Sequence, residues 1–493
     1  MSGLRHRIIS SIGWSSFSHI IDQLMNFIII VILSWLLTPG QFGLVGMVTV
    51  FTNFAILSNS FGLGEAVIQK QEVDDVQLNT VFWINLLVGA LLTVIFILLK
   101  SLIADFYNEP ALEMITFVIS FNFLILSVKS VQRALIIKKM DFKTIAKVDL
   151  FAQGTAGIIA ISCAFLGLGV WSLVVRTLSY SLFMVILLWN YSNWRPKLVF
   201  DLNKIKTMIK FGLNLMGSNV SNYWSKNMDA LLIGKFIGAF SLGIYSRALS
   251  LMLLPIRQFS NVLAKVMFPA LSSINDDIIR VKSIFLRTTR AIALVSFPLM
   301  VGVIVLAKPL ILLLFGERWS GVIPLIQILS FTGLLLSISM AYRWIYMSQG
   351  KTDLLFRFNL FEGIIRIIAV VIGLKWGIKG VAIAITVSSY FIIWFPSWKI
   401  PGKLINLTFI EMIKSLSGPF IGAISMGIAI KGCYIILSRI WNYPSIILGI
   451  LVPFGIMFYL LFVKLFKIKS FTEITELISK ELKNRSQNQQ LVF

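Results

Sequence analysis

Ionisable side chains inside apolar stretches are where this sequence could do chemistry. One stretch carries Ser15, Ser18, Asp22 and Asn26, and a second carries Ser218, Asn222, Lys226 and Asp229. A third carries Arg247, Ser250, Arg257, Asn261 and Lys265. The spacing of three or four residues within each set gathers it on one face of a helix. An ionised group at a bilayer centre costs about 2.5–3.5 kcal/mol on insertion scales. Lys226, Arg247, Arg257 and Lys265 facing lipid would together cost on the order of 10–14 kcal/mol. They are therefore expected to face a wet cavity or one another. Two arrangements avoid the cost. In one, Lys226 and Asp229 pair across a turn, while Arg247 and Lys265 reach from near the span ends to the interfaces. In the other, the four cations and Asn222 line a cavity. Set against Asp22 and Asp229, they leave it two net positive charges, which suits an anionic substrate. Arg257 is mid-span and favours the cavity.

Asn359, Glu362 and Arg366 form a further stripe, with Glu362 and Arg366 at pairing distance along a helix. Asp22, Asp229 and Glu362 are the buried acids able to carry a coupling proton, and nothing in the sequence selects among them. Arg176, Arg290, Arg343 and Arg357 are other charges inside apolar runs. Pro255 lies two residues before Arg257, so its helix can bend beside the charge. Pro298, Pro396, Pro419 and Pro453 interrupt other runs.

Membrane helices are the elements that must position these residues. The chain has 493 residues, 57% hydrophobic and 13% charged, with a mean hydropathy of +0.88. A soluble chain of this length would form about three domains and carry roughly 25% charged residues. Both a soluble and a disordered chain are excluded. Cys163 and Cys433 both sit in apolar runs, which excludes a disulfide framework and a CxxC site. His6 and His19 make no histidine cluster. Neither a metal nor a cofactor is expected. No P-loop and no G-x-S-x-G is present. Lys plus Arg number 44 against 21 Asp plus Glu, a net charge of +23. Most of that excess is the basic loading of inner loops rather than a nucleic-acid surface.

At about 20 apolar residues per crossing, fourteen spans are read. They are 12–37, 42–63, 80–104, 112–137, 147–168, 171–190, 209–237, 241–271, 285–307, 322–347, 353–374, 378–398, 415–437 and 445–466. Tight turns such as Thr38-Pro39-Gly40-Gln41 and Gly238-Ala239-Phe240 make antiparallel neighbours. With fourteen spans, the Lys/Arg-rich loops after the fourth, sixth, twelfth and last spans share one side with Arg5 and Arg7. That side is cytoplasmic, and both termini lie there. The acidic loop 64–79 dissents, but acidic residues weigh little in this rule. No small-residue cleavage site follows the N-terminus, so no signal peptide is expected. Ile474, Leu477, Ile478 and Leu482 have the spacing of a helix on the inner membrane surface, though a frayed tail accounts for them equally well.

The chain also resembles itself. Thr38-Pro39-Gly40-Gln41-Phe42-Gly43 lies over Gly238-Ala239-Phe240-Ser241-Leu242-Gly243, and Asp22 lies over Asn222, at an offset of about 200 residues. At about 210, Arg133 lies over Arg343 and Asp149-Leu150-Phe151 over Asn359-Leu360-Phe361. The expected organisation is an N-lobe at 1–208 (spans one to six) and a C-lobe at 209–400 (spans seven to twelve). Spans thirteen and fourteen follow at 401–466, then a cytoplasmic tail at 467–493. Because six is even, the lobes form a parallel repeat about a pseudo-two-fold axis along the membrane normal.

Ile12-Gly13-Trp14-Ser15, Leu36 to Gly43, and Ser60-Phe61-Gly62-Leu63-Gly64-Glu65-Ala66 resemble bacterial polysaccharide flippases of the Wzx type. Gly167-Leu168-Gly169-Val170-Trp171-Ser172-Leu173 and Asn227-Met228-Asp229 to Arg247-Ala248 look most like the colanic acid and teichuronic acid exporter branch. The resemblance covers nearly the whole chain. It implies the multidrug/oligosaccharidyl-lipid/polysaccharide exporter fold, with two six-helix lobes around a central cavity open to alternate sides. It implies a transporter, not an enzyme, in the bacterial cytoplasmic membrane. The implied substrate is a polyprenyl-pyrophosphate-linked oligosaccharide, moved to the outer leaflet for O-antigen, capsule or exopolysaccharide. Membrane lipid and the polysaccharide polymerase machinery are the implied partners. Asp229 and Arg247 lie inside the matching segment, and Arg suits phosphate oxygens. A drug antiporter of the same superfamily is the alternative, but it would favour acidic residues. A glycan polymerase or ligase would need a sizeable outer loop.

Overall fold

The computed structural model describes residues 2–59, 62–441, 443–468 and 471–473. Among them no strand occurs, and helices joined by short connections make up the structure. The helices are α1 (Ser2–Leu36), α2 (Pro39–Asn59), α3 (Leu63–Gln69), α4 (Asp75–Tyr107), α5 (Ala111–Lys138), α6 (Phe142–Phe165), α7 (Trp171–Tyr191) and α8 (Lys206–Ile237). They continue with α9 (Ala239–Ser272), α10 (Ile278–Phe315), α11 (Val322–Ser348), α12 (Thr352–Gly373), α13 (Gly377–Ser388), α14 (Trp394–Leu404), α15 (Phe409–Ile440) and α16 (Pro444–Leu465).

Twelve segments among the described residues are long and apolar enough to cross a membrane. The all-helical, multi-pass architecture expected from composition is therefore present, and the twelve differ from the fourteen expected spans in two places. The stretch Thr352–Leu404 counts once, although Gly377 in the left-handed region (φ 68) breaks it into α12 and α13. A π-helical turn, Ser389–Ile393, then joins α13 to α14. Helix α8 does not count, because its Ser, Asn, Lys and Asp residues dilute its apolar ones. The expected surface helix at 474–482 lies outside the described residues.

Local chemistry sets the helix ends. Asp74 and Gln77 form a capping box at the start of α4, and Thr408 and Glu411 form one at the start of α15. Each satisfies backbone N–H groups that the first turn leaves open. Asp141 caps α6 and Asp277 caps α10 in the simpler way.

The chain divides into two compact units, Met1–Ser246 and Arg247–Phe493. In the first, α4 lies along α5, α1 along α6, and α7 against both α5 and α6. The α1–α6 contact is close at Gly157, where an added Cβ would overlap the Ile29 side chain of α1. Beside it Ile29, Leu33 and Leu37 pack with Ala160 and Ala164 of α6. A second close approach joins the starts of α2 and α9. A Cβ added at Gly43 would overlap the Ala239 carbonyl oxygen, and one added at Gly243 would overlap that of Pro39. The two glycines are the repeat-related residues of the sequence.

In the second unit α10 is central, packed by α11, α15 and α16, while α12 pairs with α13. Two ion pairs lie among its described residues. Lys282 meets Glu411 at 2.6 Å, and Arg290 meets Glu473 at 2.6 Å.

Candidate functional site

Four helices of the first unit each place two polar residues one helical turn apart. They are Asp22 and Asn26 on α1, Lys129 and Arg133 on α5, Asp149 and Gln153 on α6, and Arg176 and Tyr180 on α7. A spacing of four keeps each pair on one face. The packing of α1, α5, α6 and α7 turns those faces toward each other.

Arg133 holds Asp149 bidentately: Nη1 donates to Oδ1 at 2.8 Å and Nη2 to Oδ2 at 3.0 Å. The planar guanidinium fork fits a carboxylate in this way. Asn26 Oδ1 accepts from Gln153 Nε2 at 3.0 Å and from Arg176 Nη2. Asp22 lies within electrostatic reach of Asp149 and Arg176, and Tyr180 within reach of Asp149 and Arg133. Lys129 Nζ donates to the Met184 sulfur at 2.9 Å, a partner that carries no compensating charge. Three cations therefore stand against two carboxylates. Gln153 is buried and the other seven residues are half-buried, so the cluster is desolvated without being sealed.

The arrangement can bind and orient an ionic group. It has no nucleophile poised beside a base, the pairing that group transfer requires. Among the described residues no His/Cys/Asp/Glu group suits a metal ion.

Of the sequence candidates whose side chains are described, Asp22 alone joins this cluster. Asp229 is buried (3% exposed), and Tyr245, equally buried, donates its hydroxyl to Asp229 Oδ2 at 2.8 Å. The Ala230 N–H donates to the other carboxylate oxygen at 2.9 Å. Lys226, one turn earlier on α8, is exposed. In the second unit the Arg247 guanidinium lies over two aromatic rings, 5.5 Å from that of the buried Trp319 and 5.8 Å from that of Phe315. Glu362 and Arg366 are half-buried on α12. The side chains of Asn222, Arg257 and Lys265 lie outside those described.

Lys129 and Gln153 escaped the sequence reading, and Asp149 entered it only as a match in the internal repeat. The spacing of four that they share with Arg133 and Asp149 was the signal available. Removing the Tyr245 hydroxyl tests the second polar pair. Tyr245→Phe is expected to lower stability by about 1.5–3 kcal/mol, the worth of a hydrogen bond to a charged group. Thermal unfolding of the purified variant in detergent measures this.

Twelve segments long enough to span a bilayer, with a charged cluster among their helices, define a class. It is that of multi-pass membrane proteins that keep charge within their spans. The chain belongs to the polysaccharide biosynthesis protein family, whose model matches residues 32–324. It is 27% identical to the lipopolysaccharide biosynthesis protein WzxC of Escherichia coli (strain K12), over 87% of this chain and 89% of that protein. It is 28% identical to the teichuronic acid biosynthesis protein TuaB of Bacillus subtilis (strain 168), over 93% of this chain and 96% of that protein. Its fold is that of the lipid II flippase MurJ in an inward closed conformation, with a TM-score of 0.74. That likeness covers 92% of this chain and 98% of that one, at 15% identity.

Proposed function

We propose that this protein moves a polyprenyl-pyrophosphate-linked oligosaccharide repeat unit from the inner to the outer leaflet of the bacterial cytoplasmic membrane. It does so by alternating access, with both termini in the cytoplasm, and supplies O-antigen, capsule or exopolysaccharide synthesis. A glycan polymerase machinery then consumes the flipped unit. The observation that carries this reading is the half-buried cluster of Lys129, Arg133, Arg176, Asp22 and Asp149 inside the spans of a chain from a polysaccharide biosynthesis family. Charges are kept within spans at a cost, and the usual return is a path for a polar or ionic substrate. Membership of a polysaccharide biosynthesis family supports a sugar-bearing substrate, and the surplus cation suits a phosphate or a sugar carboxylate. Hydrocarbon need not leave the bilayer, so only the headgroup requires such a path.

Lys226, Arg247, Arg257, Lys265 and Asn222 stay in the proposal as substrate contacts. Asp22, Asp229 and Glu362 stay as coupling groups.

The test is lipid extraction from cells with and without the gene, followed by mass spectrometry and surface labelling of the lipid-linked sugars. In the deletion strain a complete repeat unit is expected to accumulate and to stay out of reach of an outer-face label. An unchanged pool in cells that express the pathway overturns the proposal.

A further inference from the structure

The second unit carries an apolar groove of about 750 Å³ between α10, α11, the π turn and α15. Val305, Phe331, Phe420 and Ile428 form its walls. Phe331, Phe420 and Ile428 are exposed, so the groove opens at the protein surface. Two polar side chains reach the lining. The Tyr390 hydroxyl is engaged, donating to the Phe331 carbonyl at 2.9 Å. The other is Lys431, the single charge of the groove. Its ammonium lies 5.4 Å from the Tyr434 ring, on the next turn of α15 toward Ile440.

The dimensions select an occupant. From Phe420 to Lys431 the groove follows α15 for eleven residues, about 17 Å at 1.5 Å per residue. That is roughly half of a ~30 Å hydrocarbon core, the depth of one leaflet. An apolar trough of leaflet depth with one cation at its head matches one acyl chain below one phosphate. A long polyprenyl chain exceeds that length.

We infer that this groove is a binding site for an anionic phospholipid of the surrounding bilayer, with an acyl chain along α15 and the headgroup phosphate on Lys431. The site lies in the second unit, whereas the charged cluster lies in the first, and it stands whether or not the protein is a flippase. Gly432 provides a structural handle. An added Cβ there meets nothing within 4 Å, so a larger side chain enters open space.

The test is native mass spectrometry of the full chain, purified in detergent and stripped of lipid, then offered phosphatidylglycerol and phosphatidylethanolamine. The unmodified protein is expected to prefer phosphatidylglycerol about fivefold, the selectivity one basic residue gives beside anionic lipid. Lys431→Gln is expected to abolish the preference while still binding lipid. Gly432→Phe is expected to bind neither lipid well. Should that variant misfold on gel filtration, the selectivity of the exposed Lys431→Gln substitution decides alone. Equal binding of the two lipids by the unmodified protein overturns the inference, and so does unchanged selectivity in Lys431→Gln. Displacement of phosphatidylglycerol by lower concentrations of undecaprenyl phosphate also overturns it and gives the groove to an isoprenoid lipid.

Discussion

Gly43→Leu and Gly243→Leu are each expected to abolish stable folding, and the alanine variants to cost roughly 3 kcal/mol or more, the upper part of the range for overpacking. The obstacle is backbone. At Gly43 the new Cβ enters the Ala239 carbonyl oxygen, and at Gly243 it enters that of Pro39. A flexible side chain could swing away, but a carbonyl at the start of a helix moves only with its helix. Gly432→Ala is the control, because its Cβ meets no atom within 4 Å. It is expected to stay within about 0.5 kcal/mol of the unmodified protein. Fluorescence-detected size exclusion with heating separates the three outcomes. Near-normal stability in either alanine variant at the crossing removes the close approach from the account.

Asp149→Asn is expected to lower stability by about 3 kcal/mol and to stop export. The substitution leaves the Arg133 guanidinium, held bidentately in the folded protein, facing an amide inside the bundle. Breaking a buried pair costs about 3–5 kcal/mol, most of it the penalty of the orphaned charge. The low end applies because the two side chains are 30% and 26% exposed, which lets water screen them. The double variant Arg133→Gln/Asp149→Asn is expected to be more stable than Asp149→Asn alone, since it removes the orphan. A double-mutant cycle reads that coupling directly. If the single and double variants are equally stable, the pair is not an energetic unit.

Much of this fold was legible because a bilayer imposes a coarse code. Twenty apolar residues report a crossing whatever packs against them; α8, read as a span at 209–237, is a helix over Lys206–Ile237 but too polar to count as one of the twelve. The charged cluster was less legible because it depends on helix rotation. Asp22 stood out on α1, but Asn26 meets Gln153 and Arg176 because Gly157 of α6 lets Ile29 of α1 approach closely. Lys129 pairs with Met184, a residue with no charge to advertise the contact. Arg247 sat in a conspicuous polar stripe, yet the rings beside it belong to Phe315 and Trp319, far along the chain. The repeat gave the glycine crossing its positions, but spacing alone did not show that each glycine admits the carbonyl of the other helix.

The same repeat sets two related pairs of positions unequal toward a voltage. Arg133 has Asp149 in the first half, whereas the related positions in the second are Arg343 and Asn359. A bidentate ion pair carries no net charge, so a transmembrane potential does no work on it when its helices move. An arginine whose repeat-related partner is an amide keeps its full charge, and both Arg343 and Asn359 are exposed. Displacing one such charge across the whole field is worth about 2.3 kcal/mol per 100 mV. At this pair of positions the membrane potential therefore has a charge to act on in the second half and none in the first.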